Sequence, residues 1–284
     1  MKIKLPSPRK RQVMLYSSLR WVSYICAGIA AFFLLYIILF VIFRGVGSIS
    51  WNFLFGDYKL DAPTIRPALI GTLYIVLIAI LIAAPIGIFT AIFLTEYKIK
   101  SGLLNTIRVS IETLAGIPSI VYGLFGYIVF VGLFGWGASI LAGGITISIM
   151  ILPIIIRTTE EAILSVPPIY REGAYALGSS KTRTIFRVVL PAASGGIVSA
   201  MILAVGRVIS ESAVLLLTIG MVVYKDPSLL SPGTTLALDV YYFASYGYPA
   251  QAAATGAVLL FLVLGINLLA TLIGKLMSRG RLVD

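Results

Sequence analysis

Residues 167–191 read PPIYREGAYALGSSKTRTIFRVVLP, a polar and basic segment that leads directly into an apolar run ending at Ile219. The run is long enough to cross a membrane, whereas the segment before it is not apolar enough to do so. Their junction is therefore the place where a soluble partner would bind. Two full charges, Arg207 and Glu211, lie inside the apolar run. Charge within a membrane is costly, so these two residues are candidates for a functional site.

The composition of the whole chain agrees with a membrane location. Of its 284 residues, 59% are hydrophobic and 12% are charged, and the mean hydropathy is +1.03. Soluble domains are less apolar than this. The apolar runs have helical lengths, unlike the short alternating segments of an outer-membrane barrel. The predicted fold class is therefore all-α, a polytopic membrane helix bundle.

The remaining composition excludes several kinds of site. The net charge of +11 comes from short basic blocks between apolar runs, so it indicates membrane topology and no nucleic-acid partner. The chain has no histidine, which removes the commonest general base and metal ligand. The single cysteine, Cys26, excludes an intrachain disulfide. We expect no metal and no cofactor.

Six apolar runs predict six membrane-spanning helices. They cover about residues 21–43, 67–95, 109–134, 138–156, 192–219 and 250–273. A kink is expected at Pro85, close helix packing at Gly116, Gly123 and Gly126, and a helix N-terminus near Glu112. The corresponding division is a tail, first helix and external loop (1–66), a transmembrane domain (67–275) with a connecting loop at 160–191, and a second tail (276–284).

The distribution of lysine and arginine predicts the orientation of the chain. The segments on one side of the six spans hold 17 of these residues and the segments on the other side hold four, while Arg207 completes the total of 22. Basic residues are enriched in cytoplasmic loops. Both termini and the 157–191 connection are therefore expected in the cytoplasm of a multi-pass inner-membrane protein.

The segment that follows Pro167 predicts a short amphipathic helix. Prolines at 167–168 favour a helix start, and Gly178 favours a left-handed end. Between them Ile169, Gly173 and Leu177 recur four residues apart, which places them on one face. From this pattern alone, two interpretations stay open: a helix that docks a soluble partner, and a helix that rests on the inner leaflet.

The same segment resembles the signature loop of ABC-importer permeases, which reads Glu-Ala-Ala, three residues, Gly, nine residues, Ile, one residue, Leu-Pro. Here the pattern appears with every spacing kept as Glu172-Gly173-Ala174, Gly178, Val188 and Leu190-Pro191. Gly173 and Val188 are the two departures. The resemblance implies a type I importer permease with a cytoplasmic coupling helix, in which Glu172, Gly173, Ala174 and Gly178 contact a separate ATPase.

Three further stretches resemble the phosphate importer permeases of the PstA type. They are LAGIPSIVYG at 114–123, LPIIIRTTE at 152–160, and Arg207 with Glu211. The resemblance implies a second, PstC-like permease, a cytoplasmic PstB-like ATPase dimer and an extracytoplasmic PstS-like phosphate-binding protein. Since the chain has no G-x-x-x-x-G-K-[ST] loop, we expect ATP hydrolysis in the separate ATPase and no enzymatic activity in this chain.

Arg207 and Glu211 are spaced four residues apart, so they are expected to share a helix face and pair. An arginine fork matches two phosphate oxygens. A carboxylate accepts a hydrogen bond from the P–OH of phosphate, which sulfate lacks, and so would select against sulfate. Ser210 stands where the family usually has glycine. Arg157 is a weaker candidate for a second anion contact, the alternative being a charge that faces lipid headgroups.

Competing functions remain at this stage. Import of another oxyanion, molybdate or sulfate, would use the same arginine. A secondary anion transporter would work without an ATPase, and inverted repeats would favour it. A membrane scaffold without transport activity would leave the costly charge pair unexplained.

Overall fold

The computed structural model describes residues 8–59, 63–97, 100–223 and 228–279, and its regular elements are helices. In chain order these are α1 (Pro8–Val46), α2 (Trp51–Phe55), α3 (Arg66–Glu96), α4 (Ser101–Ala115), α5 (Ser119–Leu133, π-helical from Tyr127), α6 (Ile140–Leu164), α7 (Pro168–Ala176), α8 (Lys181–Ile209, π-helical over Ile185–Val189), α9 (Ala213–Thr218), α10 (Leu236–Ser245) and α11 (Pro249–Arg279). The all-α prediction is confirmed for the described residues. Some of the basic residues counted above lie outside the described ranges. They are the lysines before residue 8, Lys98, Lys225 and Arg281.

Within these ranges, five unbroken helices are long and apolar enough to cross a membrane. They are α1 from Leu19 onward, α3, α6, α8, and α11 as far as Ile273. A sixth span exists only if α4 and α5 are taken as one, and this pair is bent by 95°. The predicted third span, about residues 109–134, is therefore a broken pair of helices. Pro118 explains the bend, because proline lacks a backbone N–H and disfavours helix in the residue before it.

The position of the bend also changes the roles predicted for two residues. Since α4 begins at Ser101, Glu112 lies in its last turn, and the prediction that it marks a helix N-terminus is wrong. Gly116 ends α4 by donating its N–H to the carbonyl of Glu112 at 3.2 Å. Close packing is confirmed for Gly126, where a Cβ would lie 2.1 Å from Thr146 Oγ1.

The bounds of α6 and α8 also differ from expectation. Helix α6 continues past Ile156 to Leu164, so Arg157 lies within it. Helix α8 continues through Pro191. This proline is the second residue of the α-helical part that begins at Leu190, after the π-helical stretch ends at Val189. Proline is tolerated in the first turn of an α-helix. Helix α8 then stops at Ile209, so the prediction of one helix through Ile219 is wrong.

The centre of the bundle is formed by α3 and α6. Ile75, Ile147 and Ile151 are fully buried there, and the two helices approach closely at Gly87, where a Cβ would lie 2.5 Å from Ile155 Cγ2. Such dense packing makes α3 and α6 a stiff unit. In contrast, α1 is attached at the periphery: the chain packs at Gly45 against the backbone of Ala253 in α11.

Candidate functional site

The predicted charged pair forms at the broken end of α8. Ser210 ends the helix, donating its N–H to the Gly206 carbonyl at 3.3 Å and its hydroxyl to the same oxygen at 3.0 Å. Glu211 follows outside the helix, and its Oε2 lies 3.3 Å from Nη2 of Arg207. The predicted pairing is thus confirmed, but the prediction that both residues belong to one helix is wrong.

The two members of the pair differ greatly in exposure. The Arg207 side chain is 52% exposed, whereas that of Glu211 is 4% exposed. The other carboxylate oxygen of Glu211 lies 3.5 Å from the backbone N of Val214 at the start of α9, where helix N–H groups favour negative charge. Glu211 is therefore held beneath the guanidinium, and Arg207 is the member of the pair that is open to an anion.

Arg157 lies in a different charged cluster. Its guanidinium is 3.6 Å from Glu112 on α4 and 3.6 Å from Glu161 on α6, and Arg108 pairs with Glu160 beside it. The cluster lines a cleft of about 240 Å³. The carboxylates already neutralise both arginines, so an anion would have to compete for Arg157. Its role as a second anion contact remains a prediction.

Helix α7 has the ends that the sequence predicts. Pro168 begins the helix and Gly178 follows it with a φ of +76°. Ile169, Gly173 and Leu177 are all exposed, Leu177 to 91%. A Cβ added at Gly173 would meet no atom within 4 Å. The face predicted to carry Ile169, Gly173 and Leu177 is therefore open for a partner. Glu172 is exposed beside it, and Ala174 is half-buried.

Sequence reasoning missed the ion pair that attaches α7 to the bundle. Arg171 Nη2 lies 2.7 Å from Oε1 of Glu96, the last residue of α3. The two residues are 75 positions apart, and no local pattern links positions at that distance. The signal in the sequence was Glu96, an acidic residue at the end of an apolar run. Such a position does not indicate which basic residue pairs with it.

A buried acid lies in the connection between α9 and α11. Asp239, in the first turn of α10, is 1% exposed and accepts a hydrogen bond from the hydroxyl of Thr234. Burial raises its pKa to about 7. The pKa of Tyr58 is also raised, to about 12. Burial is the largest cause, the neighbouring Tyr242 is the second, and Asp239 adds a smaller contribution. The carboxyl of Asp239 is therefore held in conditions that favour its neutral form.

We expect Asp239 to make the stability of the chain depend on pH. Its folded pKa of about 7 lies above the ordinary value of 3.8, so the folded state holds a proton that the unfolded chain has released. Stability is therefore highest at low pH and falls as the pH rises from about 4 to about 7. Asp239→Asn cannot ionise, so its melting temperature in detergent should exceed that of wild type more at about pH 8 than at about pH 5. Parallel pH profiles for the two proteins would contradict this.

Comparison with known proteins assigns the family. Residues 83–282 match the family described as binding-protein-dependent transport system inner membrane component. The chain is 35% identical over 274 residues to the probable ABC transporter permease protein YqgI of Bacillus subtilis (strain 168), covering 90% of this chain and 93% of that protein. It is 32% identical over 280 residues to the phosphate transport system permease protein PstA 2 of Mycobacterium bovis, covering 96% and 92%.

A solved structure supports the same fold. A chain of the bacterial alginate ABC transporter, crystallised with its alginate-bound periplasmic protein, superposes with a TM-score of 0.62 over 92% of this chain and 93% of that chain. The two sequences are 16% identical, so this similarity concerns the fold alone. Family match, relatives and fold agree with the resemblance found in the sequence. The chain belongs to the inner-membrane components of binding-protein-dependent transport systems, as a multi-pass ABC-importer permease of the PstA type.

Proposed function

We propose that this chain is the permease subunit of an ATP-driven phosphate importer and forms half of its transmembrane pathway. The observation that carries the proposal is the exposed guanidinium of Arg207, supported from beneath by buried Glu211. Relatives named as phosphate transport permeases support the choice of anion. Import of sulfate or molybdate is the competing assignment, and uptake of each anion by the same reconstituted complex separates them.

Arg207 supplies the attraction for the anion. Its guanidinium is charged at every relevant pH and donates in a fork that matches two oxygens of one phosphate. The pairing with Glu211 leaves half of the side chain exposed, so other N–H groups remain available to a ligand. Ser210, also exposed, lies beside it. The Ser210 hydroxyl donates its hydrogen bond to the carbonyl of Gly206, so its oxygen can accept a hydrogen bond from the P–OH group.

Glu211 has two possible functions in selectivity, and the geometry bears on both. As a direct acceptor it would take the hydrogen bond of P–OH and repel sulfate. As a positioning group it would orient Arg207 without touching the anion, which fits its low exposure and its position near the start of α9. The direct role requires the carboxylate to become more exposed when the pathway opens.

The substitution Glu211→Gln tests the direct role. Glutamine keeps the shape of the side chain but removes the charge that repels sulfate, so the preference for phosphate over sulfate should fall by about tenfold. Uptake of radiolabelled phosphate and sulfate by proteoliposomes containing the complete importer measures this. Unchanged discrimination with weaker uptake of both anions would assign Glu211 to positioning alone. Asp239→Asn, a carboxylate change away from Arg207, is the matched control.

Transport also requires partners that this chain does not provide. The family is a membrane permease and is not itself catalytic, so we infer a separate cytoplasmic ATPase dimer that docks on α7 through Glu172, Gly173, Ala174 and Gly178. One permease forms half a pathway, so a second permease completes it, and an extracytoplasmic binding protein delivers phosphate. In this proposed arrangement both termini and α7 lie in the cytoplasm, as the distribution of lysine and arginine predicts.

A further inference from the structure

One guanidinium joins three separate elements beside the docking helix. Arg171 of α7 donates through Nε and Nη2 to Oε1 of Glu96 at the end of α3, at 3.0 and 2.7 Å. It also donates to the carbonyl of Ile163 in α6 at 3.0 Å and to that of Val166, just beyond α6, at 2.9 Å. Arg171 therefore ties α7 to the ends of both helices that form the centre of the bundle.

The ion pair between Glu96 and Arg171 is largely shielded from solvent. The Glu96 side chain is 7% exposed and that of Arg171 is 20% exposed, so solvent screens the pair only weakly. Hydrogen bonds between ionised groups are about twice as strong as neutral ones. A second contact lies next to it, with Nζ of Lys181 4.4 Å from the ring centroid of Tyr97. The end of α3 is thus attached to the chain on both sides of the Gly178 turn.

Apolar packing does not attach α7 in the same way. None of the residues of α7 is buried, so the hydrophobic contacts that hold α3 against α6 have no equivalent there. The two arginines that follow α7, Arg183 and Arg187, are exposed and form no ion pair with a described residue. Besides the short covalent connection to α6 at residues 165–167, the side-chain contacts of Arg171 are therefore the main attachment of α7 to the bundle.

Resting on the proposed function, we propose that the Glu96–Arg171 pair transmits movement of the docked ATPase from α7 to α3 and α6, and that both are positioning residues for transport. A force applied to the exposed face of α7 reaches the bundle through this pair. Because α3 and α6 are closely packed, they respond as one body and do not deform locally. Without the pair, α7 would still be joined to α6 through residues 165–167, but its direct link to α3 would be lost and it would move more freely against the bundle when the ATPase moves.

The first experiment measures coupling in the complete importer in proteoliposomes, with phosphate uptake and ATP hydrolysis followed together. Glu96→Gln should lower the number of anions moved per ATP by about tenfold, while ATP hydrolysis stays within about twofold of wild type. Arg171→Gln should do the same, and the double variant should be no worse than either single one, because both remove the same interaction. Arg183→Gln is the matched control and should transport normally.

A second readout does not depend on the transported anion. Spin labels at Phe93 and Tyr175, both exposed, are introduced after Cys26→Ser removes the only native cysteine; Tyr175 lies in α7 away from the face that carries Ile169 and Gly173. In the assembled complex the distribution of distances between the two labels should be narrow with and without ATP. In Glu96→Gln this distribution should broaden when ATP binds. A lower yield of complex with unchanged anions per ATP and an unchanged distance would overturn the inference. Absence of phosphate uptake by wild type would contradict the proposed function instead, and the distances would still test the link.

Discussion

Replacing Arg207 by glutamine is expected to lower phosphate uptake by about 100-fold, because two charge-assisted hydrogen bonds to the anion, each worth about 1.5 kcal/mol, are lost together. Uptake is measured in proteoliposomes with the complete importer at several phosphate concentrations. Arg207→Lys keeps the charge but not the fork, so it should retain intermediate activity. Wild-type uptake by Arg207→Gln would remove Arg207 from the pathway.

The same substitution has a structural consequence that needs its own control. Glu211 is almost fully buried, and removing its partner leaves the carboxylate, among the described residues, with only the backbone N–H of Val214 beside it, at a cost of about 1–3 kcal/mol. The double variant Arg207→Gln, Glu211→Gln removes both charges and should recover the melting temperature. If it recovers stability but not uptake, Arg207 acts on the anion. If both recover, Arg207 serves only to neutralise Glu211.

Gly173→Trp is expected to lower binding of the ATPase by about 30-fold, the effect of disrupting one central contact of an interface. The substitution should not unfold the chain, because a Cβ at Gly173 meets no atom within 4 Å. Co-purification of the ATPase with the permease measures docking, and thermal melting in detergent measures stability. Loss of docking at unchanged stability would separate partner binding from folding.

Gly173→Ala is the matched control for this change. Alanine is what the family pattern has at this position, and it favours helix by about 1 kcal/mol over glycine, so docking should remain. If α7 instead rested on the inner leaflet, Gly173→Trp would strengthen membrane contact and leave ATPase recovery unchanged. A cysteine at Glu172, in a Cys26→Ser background, provides an independent check, since it should crosslink to the ATPase.

Local signals were sufficient for most of the long helices and for α7. Long apolar runs predicted the five unbroken spans, because lipid requires every backbone group to be bonded within a helix. Prolines at 167–168 and the glycine at 178 predicted the bounds of α7, because each restricts the backbone at its own position. These rules act over a few residues, so they can be applied without a tertiary structure.

The breaks at 116–118 and 210–212 were not predicted, although both lie in runs of high hydropathy. Composition measures whether a segment is stable in lipid, but it does not measure whether the segment is straight. Pro118 was a visible signal for the first break. The second break carries no proline or glycine, and there Glu211 turns toward Arg207 and the first turn of α9.

The sequence by itself determined the class of protein, most of its membrane segments, the bounds of α7 and the identity of the charged pair, because each depends on residues close together in the chain. Only the tertiary structure decided that Arg207 is open while Glu211 is buried, and that Arg171 reaches Glu96 across 75 positions. Exposure and long-range pairing depend on how helices pack, and packing is set by the shapes of many side chains at once.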